Sequence, residues 1–67
     1  MNSTEKLVMM ANQIAANLAH DDDPVTATAQ HITLFWDPRM KTMLAVHGHV
    51  GLSPIAASAL ALLDQPG

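Results

Sequence analysis

Four histidines, a run of three aspartates and one Asp/Arg pair are the side chains with which this chain can do chemistry. His47-x-His49 has a chelating spacing, and His20 or His31 would have to complete it, because a catalytic metal site takes three protein ligands supported by further hydrogen bonds. His47 falls at the end of a helical pattern and His49 lies beyond a glycine, so no third ligand stands at a helical spacing. A histidine interacting with the dipole at a helix C-terminus is the better reading. Asp21-Asp22-Asp23 offers oxygens to a hard cation, but it lacks the alternating positions and the distal bidentate Glu of a calcium loop. With Pro24 directly behind it, the run reads as a solvated turn whose last Asp caps a helix. Asp37 and Arg39 could form an acid–cation pair in catalysis, yet so short a chain has little room to enclose a substrate pocket of about 300–1,000 Å3. There is no Cys, no Gly-rich phosphate loop and no Ser/His/Asp set with a supporting glycine motif. The expectation is therefore no catalytic residue, no cofactor-binding residue and no metal ligand on this chain.

The densest stretch is Phe35-Trp36-Asp37-Pro38-Arg39-Met40, which gathers the only Phe, the only Trp and the only Arg. Asp37 is a good N-cap, Pro38 suits the first helical position, and the residue before a proline leaves the α region. The stretch thus reads as a corner between two helices. Trp36 is either a core anchor or a binding hot spot, since Trp and Arg are enriched at interface centres. Asn12 and Gln13 divide in the same way, into surface polars or amides that bond a partner's backbone.

The elements that must hold these residues are four short helices, over roughly 4–20, 24–36, 38–47 and 54–64. Leu7, Met10, Ala11, Ile14, Ala15 and Leu18 mark one apolar face of the first, with Asn2 or Ser3 available as its cap. The second sets Val25, Ala29, Ile32, Phe35 and Trp36 along one side, and Thr26, Gln30, His31 and Thr33 mostly on the other. The third offers Met40, Met43, Leu44 and His47, and Gly48 is placed to stop it in the αL conformation. Ser53-Pro54 opens the fourth, whose apolar residues are Ile55, Ala56, Ala59, Leu60, Leu62 and Leu63; Gln65-Pro66-Gly67 reads as a frayed tail. No strand-like alternation occurs, so the fold class is all-α, a small bundle in a single domain over 1–67.

Composition narrows the partners. The net charge is −3, with three Lys and Arg against six acids, and no basic stripe that nucleic acid would require. No apolar stretch approaches the ~20 residues that span a bilayer, and the N-terminus lacks the apolar run of a signal peptide; a cytoplasmic protein is expected. Apolar residues make up 49% of the chain, but they are mostly Ala, Leu, Met, Val and Ile. Ordering the chain costs on the order of 100 kcal/mol, and a core this small roughly breaks even without disulfides or metal. The remaining source of stability is surface buried against a partner.

Met10-Ala11-Asn12-Gln13-Ile14-Ala15, His31-Ile32 leading into Phe35-Trp36-Asp37-Pro38-Arg39-Met40, and Gly51-Leu52-Ser53-Pro54 opening a Leu/Ala-rich helix together resemble the delta subunit of NAD-dependent formate dehydrogenase. The likeness runs over about residues 6–63. It departs from the family pattern in a short loop at Gly48–Gly51 that contains His49, and in the threonines Thr26, Thr28 and Thr33. What the resemblance implies is a non-catalytic accessory subunit of a complex that converts formate and NAD+ to CO2 and NADH. In that family the alpha (large catalytic) subunit carries a molybdenum or tungsten bis-pterin guanine dinucleotide centre with Fe–S clusters. The beta and gamma subunits carry FMN and further clusters and pass electrons to NAD. The implied role is docking on the alpha subunit and stabilising it; the alternative is a transient maturation factor for cofactor insertion. Carried onto this sequence, the implied contact residues are Asn12, Gln13, Trp36, Asp37, Pro38, Arg39 and Met40.

Overall fold

A computed structural model describes residues 3–64. The expected cap Asn2 and the tail Gln65-Pro66-Gly67 lie outside the described residues. Four helices follow in chain order, α1 (Ser3–Asn17), α2 (Pro24–Phe35), α3 (Pro38–His47) and α4 (Pro54–Asp64). Among the described residues there is no strand, and the all-α expectation holds.

Three of the helix starts are built alike. Asp23, Asp37 and Ser53 stand before Pro24, Pro38 and Pro54, and each accepts a backbone N–H three residues on: Thr26 N–H to Asp23 at 3.3 Å, Met40 N–H to Asp37 at 2.8 Å, and Ala56 N–H to the Ser53 hydroxyl at 3.4 Å. Each cap satisfies a donor that the helix itself leaves without a partner, while the proline has no N–H to orphan. Trp36 leaves α2 with extended backbone (φ −94°, ψ 139°) and its N–H still donates to Ile32 C=O at 2.9 Å. Gly48 stops α3 with φ +83°, as expected, but its ψ of −157° lies outside αL, in a region that only glycine occupies readily.

α1 is shorter than the 4–20 expectation. Beyond Asn17 the chain tightens: Ala19 N–H donates to Ala16 C=O and Asp21 N–H to Leu18 C=O, both three residues back. Tight turns of this kind commonly close a helix end, and here they lead into the acidic turn before α2.

α1 packs against each of the other three helices, and α2 with α4 forms the most extensive pair. The core joins Leu7, Ala11, Ala15, Ile32, Trp36, Leu44, Ala56 and Leu60. On α1 the buried line is Leu7–Ala11–Ala15, at i, i+4 and i+8, whereas Met10 is exposed. Alanines on this line let neighbouring backbones approach closely, and Val8 and Ile14 flank it instead of Met10. Phe35 was expected beside Trp36 on the inner side of α2, yet it is 71% exposed while Trp36 is 5% exposed. Consecutive helical residues point about 100° apart, so Leu34, Phe35 and Trp36 cannot all face one core.

Candidate docking surface

The histidines are dispersed. His47, in the last turn of α3, places Nε2 3.2 Å from Val50 C=O, a hydrogen bond when that nitrogen carries the proton. His31 lies half-buried on α2 with its ring centroid 4.6 Å from that of Phe35. Among the described residues no group of three or more His, Asp or Glu is arranged to hold a metal. The aspartate turn is spent on its own backbone: Asp21 accepts the Asp23 N–H at 3.0 Å, and Asp23 accepts the Thr26 hydroxyl at 2.7 Å besides the Thr26 N–H. The Thr26 hydroxyl first, and its N–H second, hold the Asp23 carboxyl below the usual carboxylate range.

The α2–α3 corner has an inner and an outer layer. Trp36 is the inner one, fixed in the core, with Met40 half-buried against the same cluster. The Asp37 carboxylate binds the Met40 N–H, which sets the direction in which α3 departs. Pro38 and Arg39 face outward, and so do Leu34 and Phe35 just before the corner. Within the described residues the Arg39 guanidinium has no hydrogen bond or ion pair. Five donors on a planar fork are thereby presented to solvent.

Asn12 and Gln13 are held elsewhere. Asn12 reaches the loop between α3 and α4: its Nδ2 donates to Gly51 C=O at 2.9 Å, and its Oδ1 accepts the Ser53 N–H at 2.8 Å. The amide thus bonds this chain's own backbone and ties α1 to the start of α4. Gly51 in that loop has φ +83°, and a Cβ there would meet Val8 Cγ1 at 3.4 Å. Gln13 is exposed, with Nε2 donating to Asn17 Oδ1 at 3.1 Å. The structure therefore brings Trp36, Asp37, Pro38, Arg39 and Met40 together at one corner, ties Asn12 to the α3–α4 connection and leaves Gln13 exposed on α1.

Reading the sequence alone missed the outward apolar residues. Leu34, Phe35, Val46, Val50 and Met9 are all largely exposed. Met9 and Val50 flank a shallow hollow of about 390 Å3 beside His47. The available signal was the crowding of three large apolar residues at 34–36, which one helix face cannot absorb. Comparison with known proteins places the chain: the model of the family described as NADH-dependant formate dehydrogenase delta subunit FdsD matches residues 6–60. No curated protein and no solved structure matches it.

Proposed function

The chain belongs to the delta-subunit family of NADH-dependent formate dehydrogenase, and from that premise we propose that it is a non-catalytic accessory subunit that docks on the large catalytic subunit and stabilises it. Membership makes it part of a complex whose overall reaction converts formate and NAD+ to CO2 and NADH. Its own residues offer no thiolate for an Fe–S cluster, since the sequence has no Cys. The molybdenum or tungsten pterin centre, the clusters and FMN belong, on this reading, to the alpha, beta and gamma subunits. No helix of the described residues is long and apolar enough to cross a membrane.

One observation carries the docking reading: Arg39 and Phe35 project from a corner that Trp36 and Asp37 fix from beneath. An unpaired guanidinium can make a charge-assisted, two-pronged pair with a partner carboxylate, and an exposed aromatic ring on the same corner offers apolar contact area. Asp37, Pro38 and Met40 serve that contact as frame, Asn12 holds α1 to the start of α4, and Gln13 offers its exposed amide at the same contact surface.

The test is purification of the native complex through a tag on this chain, with the wild type, Arg39→Glu and Phe35→Ser compared. Stoichiometric recovery of an active large subunit with the wild type, and its loss by roughly tenfold or more with either variant, is the expected result. Recovery of only a cofactor-free large subunit would assign the chain to maturation. Variants that bind like the wild type would remove the corner from the interface.

A further inference from the structure

Between α2 and α4 the surface holds a hollow that the core does not fill. It measures about 440 Å3 and lies between Thr26, Gln30 and Leu34 of α2 and Leu62 and Leu63 of α4. Thr33 and Leu63 also line a second hollow, of about 370 Å3, whose other walls include Lys41 and Thr42 of α3. Thr26, Gln30 and Leu34 recur at i, i+4 and i+8, so the α2 wall is one straight face, about 12 Å long at 1.5 Å per residue. A groove between two packed helices of this length suits two to three turns of a third helix.

Its charge decides what kind of helix. Lys41 is the sole ionised group among the described side chains lining either hollow, and no described carboxylate lines them. Lys41 is half-buried, and among the described residues its ammonium has no hydrogen bond or ion pair. The rest of the lining is aliphatic or carries uncharged hydroxyl and amide groups. An apolar helix with a carboxylate at one end meets both requirements, whereas a basic one would set like charges together at Lys41.

We infer that this α2–α4 groove receives an amphipathic helix of the large subunit, its apolar side chains lying along Leu34 and Leu62 and an Asp or Glu pairing with Lys41. The inference rests on the docking reading above and adds a second contact to it.

The experiment places a photo-crosslinking residue, p-benzoylphenylalanine, at Leu34 in one preparation and at Arg39 in another, each within the purified native complex. It also compares retention of Lys41→Glu and Lys41→Arg, with circular dichroism as the folding control. The expected result is a crosslink from position 34 to a large-subunit segment with apolar residues at three- and four-residue spacing and a terminal carboxylate. Lys41→Glu then lowers retention by about fivefold or more at unchanged helicity, and Lys41→Arg keeps it. A crosslink from position 34 to a second copy of this chain, or to a segment without a carboxylate, overturns the inference, as does wild-type retention of Lys41→Glu. A silent position 34 beside a productive position 39 overturns the groove and leaves the docking reading intact. Failure of the chain to co-purify at all defeats the docking reading and the groove with it.

Discussion

At the scale of single residues, the side chain least at ease is Thr28. It is fully buried on α2, and its hydroxyl has no hydrogen-bond partner. Thr33, one and a half turns later, shows the usual solution, donating to Ala29 C=O at 2.9 Å. An orphaned buried hydroxyl costs about 1–3 kcal/mol, whereas an apolar group of the same shape costs nothing of the kind. Thr28→Val keeps the β-branched shape and the helix preference. It is expected to raise stability by about 1 kcal/mol, which for a domain of this size lifts Tm by about 4–8 °C. Thermal unfolding followed by circular dichroism checks it, and a lowered Tm would show that the hydroxyl is satisfied. Trp36 and Phe35 make the complementary point, since neighbouring aromatics of similar hydrophobicity end up on opposite sides of the surface.

Among the elements, helix starts were the most legible part of the sequence, and caps are why. A cap joins residues three apart, so its geometry is settled before any tertiary contact forms. Asp23 is the most engaged of the three, with both carboxylate oxygens occupied by Thr26. Because folding lowers its pKa, its contribution to stability is fully present above the unfolded-state value, near pH 4 for an aspartate, and is lost as pH falls through the lower folded value. Asn caps about as well as Asp but does not titrate there. The stability difference between wild type and Asp23→Asn should therefore stay constant above about pH 4 and shift against the wild type below it. Denaturant midpoints across pH 2–6 would reveal it, and parallel curves for the two proteins would contradict it. Helix ends were less legible: α1 stops at Asn17 because the chain must turn, and nothing in the apolar periodicity marks that position.

At the scale of the molecule, five of the ten buried apolar residues among those described are alanines. Alanine permits close helix packing but contributes little hydrophobic stabilisation, and the body measures only 32 × 28 × 19 Å. A core of this size rarely supplies more than about 3–5 kcal/mol. Trp36→Ala, at about 3–5 kcal/mol, should therefore abolish most of the helicity of the free chain. Phe35→Ala, at a site 71% exposed, should leave Tm within a few degrees and show its cost only in binding to the large subunit. Equal losses of helicity in the two variants would contradict the division of the corner into an inner and an outer layer.

The sequence by itself determined the all-α class, the three proline-led helix starts, the glycine stop at Gly48 and the family, because each rests on residues close together in the chain or on a contiguous motif. Tertiary structure alone decided which face of each helix is used. It turned Phe35 outward and Trp36 inward, left the hollows beside Leu34 and Lys41, and gave Asn12 its partners at Gly51 and Ser53, residues 39 and 41 positions away. Periodicity names the faces a helix has available. Only the packing of several helices around a core too thin to cover them all selects which face is buried and which is left exposed.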